Sequence, residues 1–209
     1  VVFKNLSYPK IKSKILYGGI NIINSKVKII DTKIISSGSE DAINIISSDS
    51  VINNLRVENI FADAIDIDFG TLEFNNIICI NVDNDCLDVS GAKVKGKFLV
   101  GKYIKDKGLS FGENSRGEIL NIDFQNTKLG VAVKDGSKLK LSNYKLINNE
   151  YDVAVFNKKK EYENSSLNLN EPLDKSELTY LIGFNNKIVK ENINLTKKIE
   201  NKIINEIFY

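Results

Sequence analysis

The chain has 209 residues, which is enough for one sizeable hydrophobic core. Its 29 basic and 27 acidic residues give a net charge of +2, so no overall basic field indicates a nucleic-acid partner. Histidine is absent, which removes the commonest catalytic acid–base group and the commonest metal ligand. No run of about 18 apolar residues occurs, so we predict no transmembrane segment.

The first 17 residues alternate weakly and contain Pro9, which predicts an irregular first turn. After GGINI at Gly18, the sequence repeats with a period of 22 residues. The repeat units open with DAINI at Asp41, DAIDI at Asp63, DCLDV at Asp85, KGLSF at Lys107, LGVAV at Leu129 and YDVAV at Tyr151. A fixed period of this length is typical of a solenoid.

Each unit contains three short apolar clusters separated by Gly, Asn, Asp and Ser. The first cluster alternates, as in Ile43-Asn44-Ile45, which predicts a strand with its apolar residues facing inward. Three strands in 22 residues leave no room for a helix in each turn. We therefore predict an all-β fold, a right-handed parallel β-helix, over residues 1–160.

Beyond residue 160 the repeat fades, and residues 161–209 read as a C-terminal cap within the same domain. Apolar clusters at 167–169, 178–182 and 187–189 predict strands that cover the open end of the stack. Residues 196–209 place Ile199, Ile203 and Ile207 on one face, which predicts an amphipathic helix capped by Thr196.

Stacking the units at a fixed register brings acidic residues together on neighbouring turns. The first position of successive units is Asp41, Asp63, Asp85 and Lys107, and the fourth position is Asn44, Asp66, Asp88 and Ser110. By the alternation, Asp66 and Asp88 point outward. We place the first-position aspartates at a bend, because strict alternation would bury all three.

Two interpretations of these carboxylates stay open at this stage. In one, Asp63, Asp66, Asp85 and Asp88 bind a ligand beside a shallow trough left by the small second-position residues, or Asp66, Asp68 and Asp88 hold calcium. The small residues are Ala42, Ala64, Cys86, Gly108 and Gly130. In the other, the aspartates end strands and bond to the amides of the bends.

The two cysteines, Cys79 and Cys86, are too few for a disulfide framework and lack the spacing of a zinc site. We therefore expect both to be small residues of the repeat, free or incidental, and the sequence does not determine their redox state.

The motifs DAIDID, NDCLDVS and DKGLSFGE, one per turn, resemble the consecutive motifs of pectin-degrading polygalacturonases. The resemblance implies catalytic roles for Asp63 and Asp85 and places Lys107 where that family has a histidine. Asn84 stands where that family has its general-acid aspartate, so the proton donor that inverting hydrolysis needs is missing.

The series EDAINI, ADAIDIDF, SGAKV, DKGLSFGE and GVAVKDGSKL resembles the β-helix repeats of the pectin-lyase-like superfamily. It is most similar to the β-helix region that follows kinase-like domains in spore-coat-type CotH proteins and related bacterial surface proteins. This resemblance implies a non-catalytic module of a larger envelope or secreted protein. Its partner would be polysaccharide or an upstream domain of the same chain. The alternative is a polysaccharide lyase or hydrolase in which the aspartates hold calcium against a uronate and Lys107 removes a proton.

Overall fold

A computed structural model describes residues 1–9, 16–173, 177–191 and 193–209. These residues form the following strands and helix, in chain order: β1 (Val2–Leu6), β2 (Gly18–Ile23), β3 (Lys26–Ser37), β4 (Asp41–Ile60), β5 (Asp63–Val82), β6 (Leu87–Gly112), β7 (Arg116–Lys134), β8 (Lys138–Ile147), β9 (Tyr151–Phe156), β10 (Ser166–Pro172), β11 (Tyr180–Ile182), β12 (Lys187–Lys190), β13 (Ile193–Asn194) and α1 (Asn201–Phe208).

The strands stack as a parallel β-solenoid of about eight turns, which confirms the fold predicted from the repeat. In the pairing of β4 with β5, Ile43 lies opposite Ile65, which is a separation of 22 residues. The pairing of β5 with β6 repeats the offset, with Ile65 opposite Leu87. Within the described strands, β12 with β13 is the antiparallel exception.

Each turn contributes three faces, because the long strands continue around the corners. The first face comprises 18–23, 41–46, 63–68, 85–90, 107–112, 129–134, 151–156 and 180–182. The second runs from 26–30 through 49–53, 71–75, 93–97 and 116–120 to 138–142, and the third from 33–37 through 56–60, 78–82, 100–104 and 122–127 to 144–147. Alternate residues of each face point inward and form one buried apolar core.

Left-handed backbone recurs at equivalent corner positions of successive turns. Between the first and second faces it is adopted by Asn24, Ser47, Phe69 and Gly91. Between the third and first faces it is adopted by Ser36, Asn59, Asn81, Tyr103, Asn126 and Asn148. Asparagine and glycine tolerate this conformation best, so the two aromatic residues, Phe69 and Tyr103, are exceptions at their corners.

The strands beyond residue 160 extend the stack. β10 pairs with β8, and β12 pairs with β10, both in parallel. β11 pairs with β9 and so adds a further turn to the first face. The strands predicted at 167–169, 178–182 and 187–189 therefore lie in register with earlier turns. The division at residue 160 stays a prediction.

The helix is shorter than predicted, because it begins at Asn201 and has Glu200 at its N-cap. Thr196 therefore lies before the helix and does not cap it. Ile204 and Phe208 of the helix form a second, smaller apolar cluster with residues on the outer side of the first face: Leu129, Ala132, Ala154 and Phe156. No helix among the described residues has the length and apolar character needed to span a membrane.

A disulfide joins Cys79 on the third face to Cys86 on the first, so the two cysteines are neither free nor incidental residues of the repeat. The two residues are seven apart in sequence, but the turn brings their Cα atoms to 5.7 Å. That distance is within the range that a disulfide bridges. Spacing along the chain concealed the pair, because the proximity results from the closure of one solenoid turn.

Candidate functional site

Two of the first-position aspartates, Asp63 and Asp85, bond to the backbone of the following turn. The Asp63 carboxylate accepts hydrogen bonds from the backbone N–H of Asp85 at 2.7 Å and from the side-chain amide of Asn84 at 2.8 Å. The Asp85 carboxylate accepts the backbone N–H of Lys107 at 2.9 Å. Each bond satisfies an amide at the start of a strand, which matches the structural interpretation of these residues.

The first-position residues are more buried than we expect for residues at a bend. Asp85 and Lys107 are each only 2% exposed, and Asp41 is also buried. They are buried because each charged group has a partner: Lys107 Nζ lies 3.5 Å from Asp85 and 2.5 Å from Asp106, and Asn44 donates to Asp41 at 2.8 Å. Asp85 and Lys107 are therefore withdrawn from the surface.

The small second-position residues also differ from the expected trough. Ala42, Ala64 and Cys86 are fully buried, and a Cβ built on Gly108 would lie 2.6 Å from the ring of Phe124. Small side chains are required here because this column packs against the core.

The fourth-position residues do form an outward column on the first face. Asp66 pairs in register with Asn44 on one side and with Asp88 on the other, and Ser110 follows on the next turn. Asp88 Oδ1 and Ser110 Oγ are buried atoms that make no hydrogen bond to any described residue, and Ser110 is 0% exposed. Ser110 itself is therefore closed to a ligand, whereas Asp66 and Asp88 are only half-buried.

The pKa values of three carboxyl groups on this face, those of Asp63, Asp66 and Asp68, are raised. Desolvation, followed by the nearby Asp68 and Asp88, raises the pKa of Asp66 to about 9. Desolvation and then Asp88 raise the pKa of Asp68. Burial raises the pKa of Asp63 above its ordinary value, and the neighbouring Asp85 adds to the effect. Asp66 therefore presents a protonated carboxyl group near neutral pH, which can both donate and accept hydrogen bonds.

A basic cluster that the sequence did not indicate lies beyond Asp88. Three lysines approach the ring of Tyr209 at its centroid: Lys158 Nζ at 3.5 Å, Lys107 Nζ at 4.9 Å and Lys134 Nζ at 5.6 Å. Lys134 also donates to the Tyr209 hydroxyl at 3.0 Å. Burial would lower the pKa of Lys134, but Asp88 and Tyr209 outweigh it and hold this pKa above its ordinary value.

Helix α1 determines how far the outward column stays open. Ala132 and Ala154 continue the column of Asp66 and Asp88, and both are covered by the helix. Tyr209 follows the helix and ends the covered region at the lysine cluster. The accessible part of the column is therefore Asp66 and Asp88, which are half-buried and lie between the buried residues Asn44 and Ser110.

Phe69 stands at one edge of the open column, directly after Asp68, and is a second residue that the sequence analysis missed. Its side chain is 53% exposed, and its φ of 56° is unusual for an aromatic residue. The signal was available as the 22-residue spacing of Ser47, Phe69 and Gly91, where small residues flank one aromatic.

The described residues contain no group of three or more Asp, Glu, His or Cys side chains arranged to hold a metal. The calcium hypothesis for Asp66, Asp68 and Asp88 thus gains no further support from the geometry.

Comparisons with protein-family models, with curated proteins and with solved structures give no match. By its fold and its candidate site, the chain is a parallel β-solenoid with an acidic column on the outward side of its first face.

Proposed function

We propose that this chain is a non-catalytic β-helix module of a larger envelope or secreted protein, and that it binds polysaccharide along the open column of the first face. One observation carries the proposal: the half-buried carboxyl groups of Asp66 and Asp88 lie next to each other on the outward side of the first face. Sugar hydroxyl groups both donate and accept hydrogen bonds, and so they would pair with these two carboxyl groups. The exposed ring of Phe69 supplies an apolar surface for a sugar face.

The Cys79–Cys86 disulfide supports an oxidising location, because disulfides persist in secreted and envelope compartments. The resemblance to the β-helix regions of CotH-type surface proteins and of the pectin-lyase-like superfamily points the same way.

Affinity electrophoresis in gels that contain soluble polysaccharides tests the proposal. We expect retardation of the wild-type chain and about tenfold weaker binding by the double variant Asp66→Ala and Asp88→Ala, which removes both carboxyl groups. Phe69→Asn should weaken binding without loss of stability, because asparagine tolerates the left-handed backbone. Asp49→Ala, at an exposed aspartate on the second face, is the matched control.

Equal retardation of the wild type and the Asp66/Asp88 double variant would contradict the proposal. If no polysaccharide is retained but a separately produced upstream domain of the full-length protein is, the column serves a partner domain instead.

A second candidate is a carbohydrate-active enzyme, and the raised pKa of Asp66 favours it. A carboxyl group that stays protonated near neutral pH suits a general acid. The proposed lyase base, Lys107, suits its role less well. Burial would lower its pKa, but Asp85 and then Tyr209 and Asp106 hold this pKa above the ordinary value, so the amine stays charged.

The enzyme candidate predicts release of reducing ends or of unsaturated products from polyuronides or neutral polysaccharides. Asp66→Asn should abolish that release while leaving the fold intact. Absence of turnover by a wild-type chain that binds the same polymer would exclude the candidate.

A further inference from the structure

A second feature of the surface lies at the corner between the third and first faces, away from the acidic column. Asparagines occupy this corner in successive turns at Asn59, Asn81, Asn126 and Asn148, all with φ between 54° and 59°. The side-chain amide of Asn81 donates to Asn59 Oδ1 at 3.1 Å, as expected for a ladder of stacked amides. The ladder is interrupted at one turn, where Tyr103 takes the corner.

Tyr103 is costly for the fold at this position. Its backbone is left-handed, with a φ of 57°, which asparagine tolerates and a bulky aromatic residue does not. Its side chain is 58% exposed, so packing in the core does not compensate. Strained conformations that bring no packing benefit cluster at functional sites. The tyrosine therefore calls for an explanation outside the fold itself.

The ring of Tyr103 lines an open cavity of about 930 Å³, and the asparagines of the neighbouring turns line the same cavity. Asn81 stands on one side, and Asn126 with Asn148 on the other. Amide groups both donate and accept hydrogen bonds, which suits a ligand that carries many hydroxyl groups. An aromatic ring beside a few polar groups is the usual composition of a small-molecule site.

The charges around the cavity do not favour an ionic ligand. Asp83 and Glu150 on the rim balance Lys105 and Lys128, so the formal charges sum to zero. Asp83 and Lys105 also pair with each other at 2.8 Å. The rim therefore carries no net charge that would attract a uronate or a polyamine.

We infer that the cavity around Tyr103 is a binding site for a neutral carbohydrate chain, with one sugar ring on the tyrosine face and its hydroxyl groups on the asparagine amides. This site is separate from the column of Asp66 and Asp88. A negative result at one site would leave the proposal for the other unchanged.

Affinity electrophoresis with three neutral polymers, glucomannan, xylan and galactomannan, tests the inference, with polygalacturonate as the charged comparison. We expect at least one neutral polymer to retard the full chain, and Tyr103→Asn to weaken that binding by about tenfold. Tyr103→Asn restores the residue found in the turns on either side, so its thermal unfolding temperature should not fall. A loss of binding would then report the lost ring.

Two controls identify the site that binds. Phe98→Asn removes an exposed aromatic residue outside the cavity, and Phe69→Asn removes the one beside the acidic column. Phe98→Asn should bind the neutral polymer like the wild type, and Phe69→Asn should retain the part of the binding that Tyr103→Asn loses. The inference is overturned if no neutral polymer retards the wild type, if Tyr103→Asn binds unchanged, or if Phe69→Asn loses the same binding. The last result would assign the neutral polymer to the acidic column.

Discussion

Asp66 illustrates how a single residue couples the surface of this solenoid to pH. Its pKa of about 9 in the folded chain lies far above the ordinary aspartate value, because desolvation and two neighbouring aspartates penalise the charge. Between those two pKa values the folded chain holds a proton that the unfolded chain has released. The contribution of this residue to stability is therefore complete at acidic pH and is lost as the pH rises towards 9.

We expect the free energy of unfolding of the wild type to fall as the pH rises from about 4 to about 9. Asp66→Asn removes the titrating group and should raise stability near pH 8 by about 1 kcal/mol or more. Urea unfolding followed by circular dichroism at a series of pH values measures both effects. Asp49→Asn on the second face should leave the pH profile unchanged, and an equal change in both variants would contradict the assignment to Asp66.

Gly96 is a second residue at which one substitution has a specific expected effect on stability. A Cβ built on Gly96 would lie 2.0 Å from the ring of Phe74, which fills the inward position of the turn below. Gly96→Ala should therefore destabilise the chain by about 1–3 kcal/mol through overpacking. Gly38→Ala is the matched control, because a Cβ there meets nothing within 4 Å. Equal midpoints of denaturation for the two variants would show that Phe74 can move aside.

Among the elements, helix α1 decides which part of the first face is open to ligands. It binds through a small apolar cluster separate from the main core, and its N-cap residue makes no side-chain capping bond. Packing against Ala132 and Ala154, rather than intrinsic helix propensity, therefore holds this eight-residue helix in place.

Two neighbouring isoleucines of the helix allow the contribution of packing to be separated from that of helix propensity. Ile204 is fully buried, whereas Ile203 is largely exposed. Ile204→Ala should cost about 2–4 kcal/mol in local or global stability, and Ile203→Ala about 0.5 kcal/mol or less. Hydrogen exchange at the amides of the helix reports the local opening. Equal exchange in the two variants would mean that the helix does not dock through Ile204.

For the molecule as a whole, the disulfide is the feature with the widest implication. It closes one turn of the solenoid by linking two faces, at residues where the chain has its only cysteines. The link supports the proposed oxidising location and adds to the stability of a fold whose stabilising contacts are mostly between adjacent turns.

Protein prepared without reductant should therefore contain no reactive thiol, even after denaturation. Thiol titration before and after reduction measures this directly. Reduction should lower the free energy of unfolding by about 2 kcal/mol, the entropy that closing so short a loop removes from the unfolded chain. Two reactive thiols in the unreduced, denatured protein would show that the pair is not joined.

The sequence by itself determined the solenoid, because a 22-residue period combined with alternating apolar residues has one economical solution: strands stacked in register about a buried core. The same period predicted the outward column of Asp66 and Asp88. The period also indicated that Tyr103 is exceptional, because it takes the corner position that Asn81 and Asn126 occupy in the neighbouring turns. The backbone at that corner is left-handed.

The tertiary structure alone decided which groups on that frame are accessible. Asp85 and Lys107 are buried because they pair across neighbouring turns, and Tyr209 reaches the lysine cluster only because α1 folds back over the first face. Burial and pairing depend on distances between groups on different turns and segments. A periodic pattern records which residues share a column, but it does not contain those distances.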